Sequence, residues 1–242
     1  MKKILLLASV CFLSFLSGCV MSALTMYGIP NYVQEFDNNH KKDPSKSGLV
    51  LVGTTTTGNN WEHVSIKDSE SLPSKRIKYK SRQSNGVEMG LQDESCFQYT
   101  LNVNKAEYDV KVDGNDDSVM ENGFMIHRNY ICRNEISGIK PFVKVGWGVL
   151  TQRYEKTEFP YDHTNADGTV GVKTTNKLGG PCFDLTVGGT QSFFDERLSL
   201  MFGAQYLRWG VNIGSSILMG ADALQWGGID QYNLLFSLAY KF

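Results

Sequence analysis

The last eleven residues constrain the fold of this chain most. In Tyr232-Asn233-Leu234-Leu235-Phe236-Ser237-Leu238-Ala239-Tyr240-Lys241-Phe242 every even position is apolar or aromatic. The odd positions are Asn, Leu, Ser, Ala and Lys. Successive side chains of a strand point to opposite faces, so one face of this segment is wholly apolar and the other mainly polar. A strand with one face in lipid and the other in a polar lumen has this pattern.

The pattern recurs upstream. Leu198, Leu200, Phe202, Ala204 and Tyr206 alternate with Arg197, Ser199, Met201, Gly203 and Gln205. Phe183, Leu185 and Val187 alternate with Asp184, Thr186 and Gly188, and Val143, Val145, Trp147 and Val149 with Lys144, Gly146 and Gly148. Phe97, Tyr99, Leu101 and Val103 alternate with Gln98, Thr100, Asn102 and Asn104. Weaker segments fall at 124–131, where Arg128 interrupts an apolar face, at 87–91, and at 48–57. These make eight candidate strands. The turns near 93–95, 134–136 and 195–196 are short, whereas the connections near 58–84, 112–122, 156–178 and 213–227 are longer and polar. Alternating short turns and long loops predict an all-β fold: a single antiparallel transmembrane barrel of eight strands with the long loops extracellular. A soluble, lipid-anchored calycin-like barrel, with its apolar faces inward, is the alternative that removes the membrane.

The amino terminus predicts export. Met1-Lys2-Lys3 is followed by an uncharged apolar run, Ile4 to Leu16, the layout of a secretory signal peptide. Leu16-Ser17-Gly18-Cys19 resembles the lipobox of bacterial lipoproteins. That resemblance implies cleavage before Cys19, lipid attachment to its sulfur and, with Val20 following, sorting to the outer membrane. Ordinary cleavage near Ala23 is the competing reading. The expected organisation is therefore a signal peptide over 1–18, a lipid-anchored flexible tether over 19–47 and a barrel over 48–242. Loss of Lys2 and Lys3 with the leader reduces 24 basic residues to 22 against 25 acidic ones, a net of −3. Nothing in that balance asks for nucleic acid.

The carboxy-terminal half resembles the small outer-membrane barrels of the OmpA/OmpX type. The residues that carry the likeness are Pro141-Phe142-Val143-Lys144-Val145-Gly146-Trp147-Gly148, the run from Gly180 to Gly189, Glu196-Arg197-Leu198-Ser199-Leu200, and the terminal Tyr240-Lys241-Phe242. It implies that the last strand, through Phe236, Leu238, Tyr240 and Phe242, is the signal read by the barrel-assembly machinery. Outer-membrane lipids and lipopolysaccharide are further expected partners, with a surface ligand on the loops.

An eight-stranded barrel is narrow enough for side chains to fill. The inward set predicted from parity is Glu88, Gln98, Asn102, Lys144, Asp184, Arg197, Gln205 and Lys241, and Lys144 and Asp184 are expected to pair, directly or through Arg197. Enzymatic readings find little support. His40, His63, His127 and His163 lie in no recognisable serine–histidine context. No metal spacing, phosphate loop or nucleotide motif appears, so no cofactor is expected. The run Lys75-Arg76-Ile77-Lys78-Tyr79-Lys80-Ser81-Arg82 is the densest charge feature, either a solvated loop base or a contact for lipopolysaccharide phosphates. Cys96 and Cys132 are equidistant from Gly114, but their parities differ; a disulfide there needs a bulge near Asn104-Lys105. The expected role is structural or surface-interacting, through adhesion, envelope integrity or immune contact. A porin-like channel for small or hydrophobic molecules and a lipid-modifying enzyme are the alternatives.

Overall fold

The computed structural model describes residues 28–35, 37, 43, 46–59, 64–66, 75–164, 167–213 and 227–242. The strands among them are β1 (Gly48–Asn59), β2 (Val64–Ile66), β3 (Lys75–Tyr79), β4 (Ser81–Gln92), β5 (Phe97–Val112), β6 (Asn115–Ile131), β7 (Lys140–Tyr154), β8 (Phe159–Thr164), β9 (Val170–Thr175), β10 (Lys177–Phe193), β11 (Leu198–Ile213) and β12 (Gly227–Lys241). Eight of them, β1-β4-β5-β6-β7-β10-β11-β12, pair in that order, all antiparallel. β12 returns to β1 through pairs such as Val52↔Ala239 and Leu51↔Tyr240, and the ring closes. The fold is all-β, a closed eight-stranded antiparallel barrel, and each of the eight predicted segments is one of its staves.

The remaining strands lengthen the barrel at one end. β2 pairs with β3, which continues β4 along β5, and β8 pairs with β9 as a separate hairpin between β7 and β10. The connection near 112–122 is not a loop, contrary to the sequence reading. β5 and β6 stay paired to Val112↔Asn115 and turn through Asp113-Gly114, with φ of 50° and 88°. Two successive positive φ values match the right-handed twist of the flanking strands. Nor does β5 bulge at Asn104-Lys105: its register with β6 is unbroken from Phe97↔Tyr130 onward. The side chains change there instead. From Phe97 to Val103 the outward positions are apolar; from Lys105 to Lys111 they are Lys, Glu, Asp and Lys, and Ala106, Tyr108, Val110 and Val112 point inward and are buried. The environment inverts while the backbone runs straight.

Without a bulge, nothing reconciles the parities of Cys96 and Cys132. Cys96 sits in a left-handed turn conformation (φ 64°), and Cys96, Cys132 and Cys182 are free thiols. The basic run 75–82 is also not one surface patch. Ile77 and Tyr79 are buried, Lys80 pairs with Asp116 at 2.9 Å outside, and Arg82 turns into the lumen.

The outer wall is an apolar band. Leu51, Met89, Leu101, Phe124, Phe202 and Phe236 all face outward and are exposed. On β12 the band runs from Tyr232 to Phe242, roughly 25 Å tall at about 3.3 Å per residue and about 40° tilt. One sector is covered. Residues 28–35 form a helix whose Ile29 and Val33 pack on Phe97, Tyr130, Val143 and Val145. There Tyr130 and Val145 are 0% exposed, against 51% for Leu101 on the same wall. Asp37, just after the helix, accepts hydrogen bonds from Tyr130 Oη (2.8 Å), the Arg133 amide (2.7 Å) and Asn134 Nδ2 (2.7 Å). Arg128 Nη2 donates to Asn31 Oδ1 at 2.8 Å. This part of the expected tether is therefore docked, because the wall offers it apolar residues and hydrogen-bond donors. Cys19 and the signal segment lie outside the described residues, as do His40 and His63.

Candidate functional site: a filled lumen

Inward parity gathers side chains into three layers. At the short-turn end Val50, Val52, Phe142, Met201, Leu235 and Ala239 form an apolar layer. At the long-hairpin end Ile77, Tyr79, Val110, Val119, Tyr154 and Phe159 belong to a second apolar cluster, with Tyr154 and Phe159 edge to face at 4.9 Å. A buried polar layer separates them.

That layer holds two networks. In the first, Lys144 Nζ donates to Glu88 Oε1 at 2.5 Å, and Glu88 also accepts from Thr100 Oγ1 (2.9 Å) and Asn102 Nδ2 (3.4 Å). His127 Nδ1 faces Glu88 Oε2 at 3.6 Å and its Nε2 faces Asp184 Oδ2 at 3.3 Å. Gln205 Nε2 donates to Asp184 at 2.7 Å and Asn233 Nδ2 to Gln205 at 3.1 Å. Seven staves, all but β1, contribute a side chain to this chain of contacts. In the second, Arg82 pairs with Glu121 and donates to Thr56 Oγ1 on β1 at 3.3 Å. Tyr108 Oη and Gln152 Nε2 donate to Glu121 at 2.9 and 3.1 Å, and Tyr79 and Tyr154 close over Gln152 at 3.1 and 3.0 Å. Unpaired ions in such a setting are costly, and here each permanent cation has its carboxylate.

Glu88, Gln98, Asn102, Lys144, Asp184 and Gln205 are all buried, where parity placed them. The expected pairing differs. Lys144 bonds Glu88, and Asp184 is joined to it through His127. Arg197 is not in the lumen: it is exposed in the turn before β11. Parity cannot say whether a residue at a strand end points into the barrel or into a turn. Lys241 is half-buried at the mouth. Sequence reasoning missed the Arg82–Glu121 pair and, at the centre of the first network, His127. Its neighbours Phe124 and Ile126 face outward, which already put an odd position inside. The side chain of His163 lies outside the described residues. Among the described residues no cluster of His, Cys, Asp or Glu is arranged to hold a metal.

Gly146 makes the His127–Asp184 approach possible. A Cβ there would lie 2.1 Å from Asp184 Oδ1 and 2.2 Å from His127 Cδ2. On the outside, Phe236, Leu238, Tyr240 and Phe242 project from β12, and the Tyr240 and Phe242 rings meet at 4.8 Å. The Phe242 amide donates to Leu49 O at 3.0 Å, so the final residue completes the seam with β1.

No protein-family model matches the chain, and no curated protein matches it. Among solved structures it is similar to small outer-membrane proteins. Neisserial surface protein A (NspA) is 13% identical over 81% of this chain and 99% of its own, with a TM-score of 0.45. Outer membrane protein OprG from Pseudomonas aeruginosa is 12% identical over 81% and 97%, with a TM-score of 0.44. Outer membrane protein AlkL is 14% identical over 81% and 90%, with a TM-score of 0.40.

Proposed function

We propose that this protein spans the bacterial outer membrane as a plugged barrel whose work is structural or surface-interacting, done by the hairpins that stand above the apolar band. The observation that carries this reading is the contrast between the two surfaces of one sheet. The outer wall exposes Leu51, Leu101, Phe202 and Phe236 over a band of bilayer height, whereas the interior buries two ion-pair networks between apolar layers. A soluble calycin-like barrel would reverse those faces. Closed pairing leaves no edge for lipid to meet. Among the described residues no helix is long and apolar enough to cross a membrane, which says nothing of strands.

The interior argues against steady conduction, because eight staves leave a space that side chains fill. It also argues against a lipid-cleaving centre. A catalytic histidine uses one nitrogen on a carboxylate and the other on a nucleophile. His127 has carboxylates at both nitrogens. Outer-membrane lipids and lipopolysaccharide are the proposed surroundings, and Phe236, Leu238, Tyr240 and Phe242 the proposed assembly signal. The test is twofold. Unboiled protein should migrate differently from boiled protein on a detergent gel, and planar bilayers containing it should stay silent. Identical migration of natively folded protein refutes the membrane barrel; stable ion-selective openings refute the plug.

A further inference from the structure

The three short turns, the residues before β1 and the end of β12 enclose a cup at the short-turn end. Its cavity is about 50 Å³, more than the roughly 10–15 Å³ that a single water needs. Val50 and Ala239 of the lower apolar layer line it, so it is blind on the lumen side. Five cations line it, Lys46, Arg133, Lys140, Arg197 and Lys241, against one carboxylate, Glu196.

That imbalance is only partly offset by neighbouring acids. Lys46 reaches Glu196 at 2.6 Å and Lys140 bonds the same carboxylate, so two lysines share one acid. Glu135 reaches Lys140 only at 3.7 Å, from outside the lining. Arg133 spends its bonds on neutral atoms, Glu94 O at 2.7 Å and Cys96 Sγ at 3.2 Å, with Asp43 nearby. Lys241 Nζ lies 3.5 Å from a carbonyl, Lys46 O, and feels the same Glu196 carboxylate at longer range, with Lys46 and Lys140 opposing it. Among the described residues no ion pair reaches Arg197 or Lys241. The turn that carries Glu196 is itself strained. Phe194, Asp195 and Glu196 all have left-handed φ (53°, 55° and 65°), and none is glycine. Such strain gathers at ligand clamps and switch segments.

We propose that this cup binds a phosphate group, with Arg197 and Lys241 as its free donors and Glu196 as an internal competitor for Lys46 and Lys140. A divalent phosphate answers several cations at once, and an arginine fork fits two of its oxygens. The cup's rim includes Tyr240, whose ring stands on the outer apolar wall. Two sources share this chemistry: the headgroup of a phospholipid in the adjoining leaflet, and a free phosphate compound. Only the lipid source rests on the membrane placement proposed above.

The experiment uses the full chain folded in a non-ionic detergent, titrated with inorganic phosphate and, separately, with short-chain phosphatidic acid against phosphatidylcholine. Saturable, salt-sensitive phosphate binding is expected. Lys241→Gln and Arg197→Gln should each weaken it about fivefold, the scale of one charged contact at a half-exposed site. Glu196→Gln should strengthen it, the opposite of a merely structural loss. Heat-modifiable mobility, checked for each variant, separates lost binding from lost folding. If Arg197→Gln does not fold, Arg197→Lys keeps the charge without the fork and should still weaken binding. Phosphatidic acid binding that falls in Lys241→Gln identifies the headgroup source; phosphate binding alone identifies the free one. No saturable phosphate binding, or equal affinity in folded Lys241→Gln and Arg197→Gln, overturns the proposal. So does weaker binding in folded Glu196→Gln. Failure of vesicle insertion with phosphate binding intact would refute the membrane reading and leave the cup standing.

Discussion

Replacing Glu88 with Gln tests the wiring of the lumen. The substitution keeps the shape and the oxygen that accepts from Asn102, turns the other oxygen into a donor so that the Thr100 hydroxyl must accept instead of donate, and removes the charge that holds Lys144 at 2.5 Å. The side chains of Lys144 and Glu88 are 6% and 4% exposed, so the stranded ammonium has no route to water. Breaking a buried pair from one side costs about 3–5 kcal/mol. The lower end applies, about 3 kcal/mol, because Asp184 stays within the same network. Lys144→Met should cost a similar amount, since Glu88 keeps Thr100, Asn102 and His127. The double variant, with neither charge, should cost about 1 kcal/mol, a coupling of several kcal/mol in the cycle. Urea midpoints of protein refolded into lipid vesicles, read by tryptophan fluorescence, measure each term. Strictly additive single and double variants would refute the pairing. A larger coupling of Lys144 with Asp184 than with Glu88 would restore the direct pair expected from sequence.

Gly146→Ala should destabilise the barrel by about 1–3 kcal/mol through crowding, because its methyl would meet Asp184 and His127 near 2 Å; an unchanged midpoint would refute the close approach. Asp37→Ala should free the docked helix by removing acceptors from Tyr130, Arg133 and Asn134, and limited proteolysis should then cut within 28–47 while the barrel stays heat-modifiable. Burial works to raise the pKa of Glu196, but its bonds to Lys140 and Lys46 outweigh burial and hold the carboxyl below its ordinary value. Its stabilisation is therefore complete above the ordinary glutamate range and is lost as pH falls through the lower folded value. Between about pH 5 and pH 3 the wild type should lose more stability than Glu196→Gln, and parallel losses would refute the coupling.

What was legible in the sequence follows from where the wall is apolar outside and polar inside. β11 and β12 alternate cleanly because one face belongs to the exposed apolar band and the other to a buried polar layer. β5 carries the same pattern only to Val103. Beyond it the outward side chains are charged and the inward ones apolar, so the alternation inverts, and a reader of parity meets what looks like a bulge and then a loop. Glu88, Lys144 and Asp184 were legible as inward charges. Their partners were not, because Glu88 and Lys144 lie on β4 and β7, and which residues meet across a lumen depends on ring closure. Arg197 was misplaced because a strand's parity stops at its last ladder residue. The helix at 28–35 was missed because eight residues containing Gly28 and Pro30 carry no helical signal. Its order comes from the wall it lies on.

That covered sector makes the barrel unequal around its circumference. In the proposed bilayer, hydrocarbon can wet β1, β4, β11 and β12 over the full apolar band, but near the short-turn end of β5, β6 and β7 it meets the back of the helix instead. Glu35 and Tyr32 ride there in place of aliphatic side chains. The annulus of lipid around the protein is therefore an open arc on one side. A neighbour in the plane of the membrane would find one bearing on which it touches polar chain, and others on which it touches only oil.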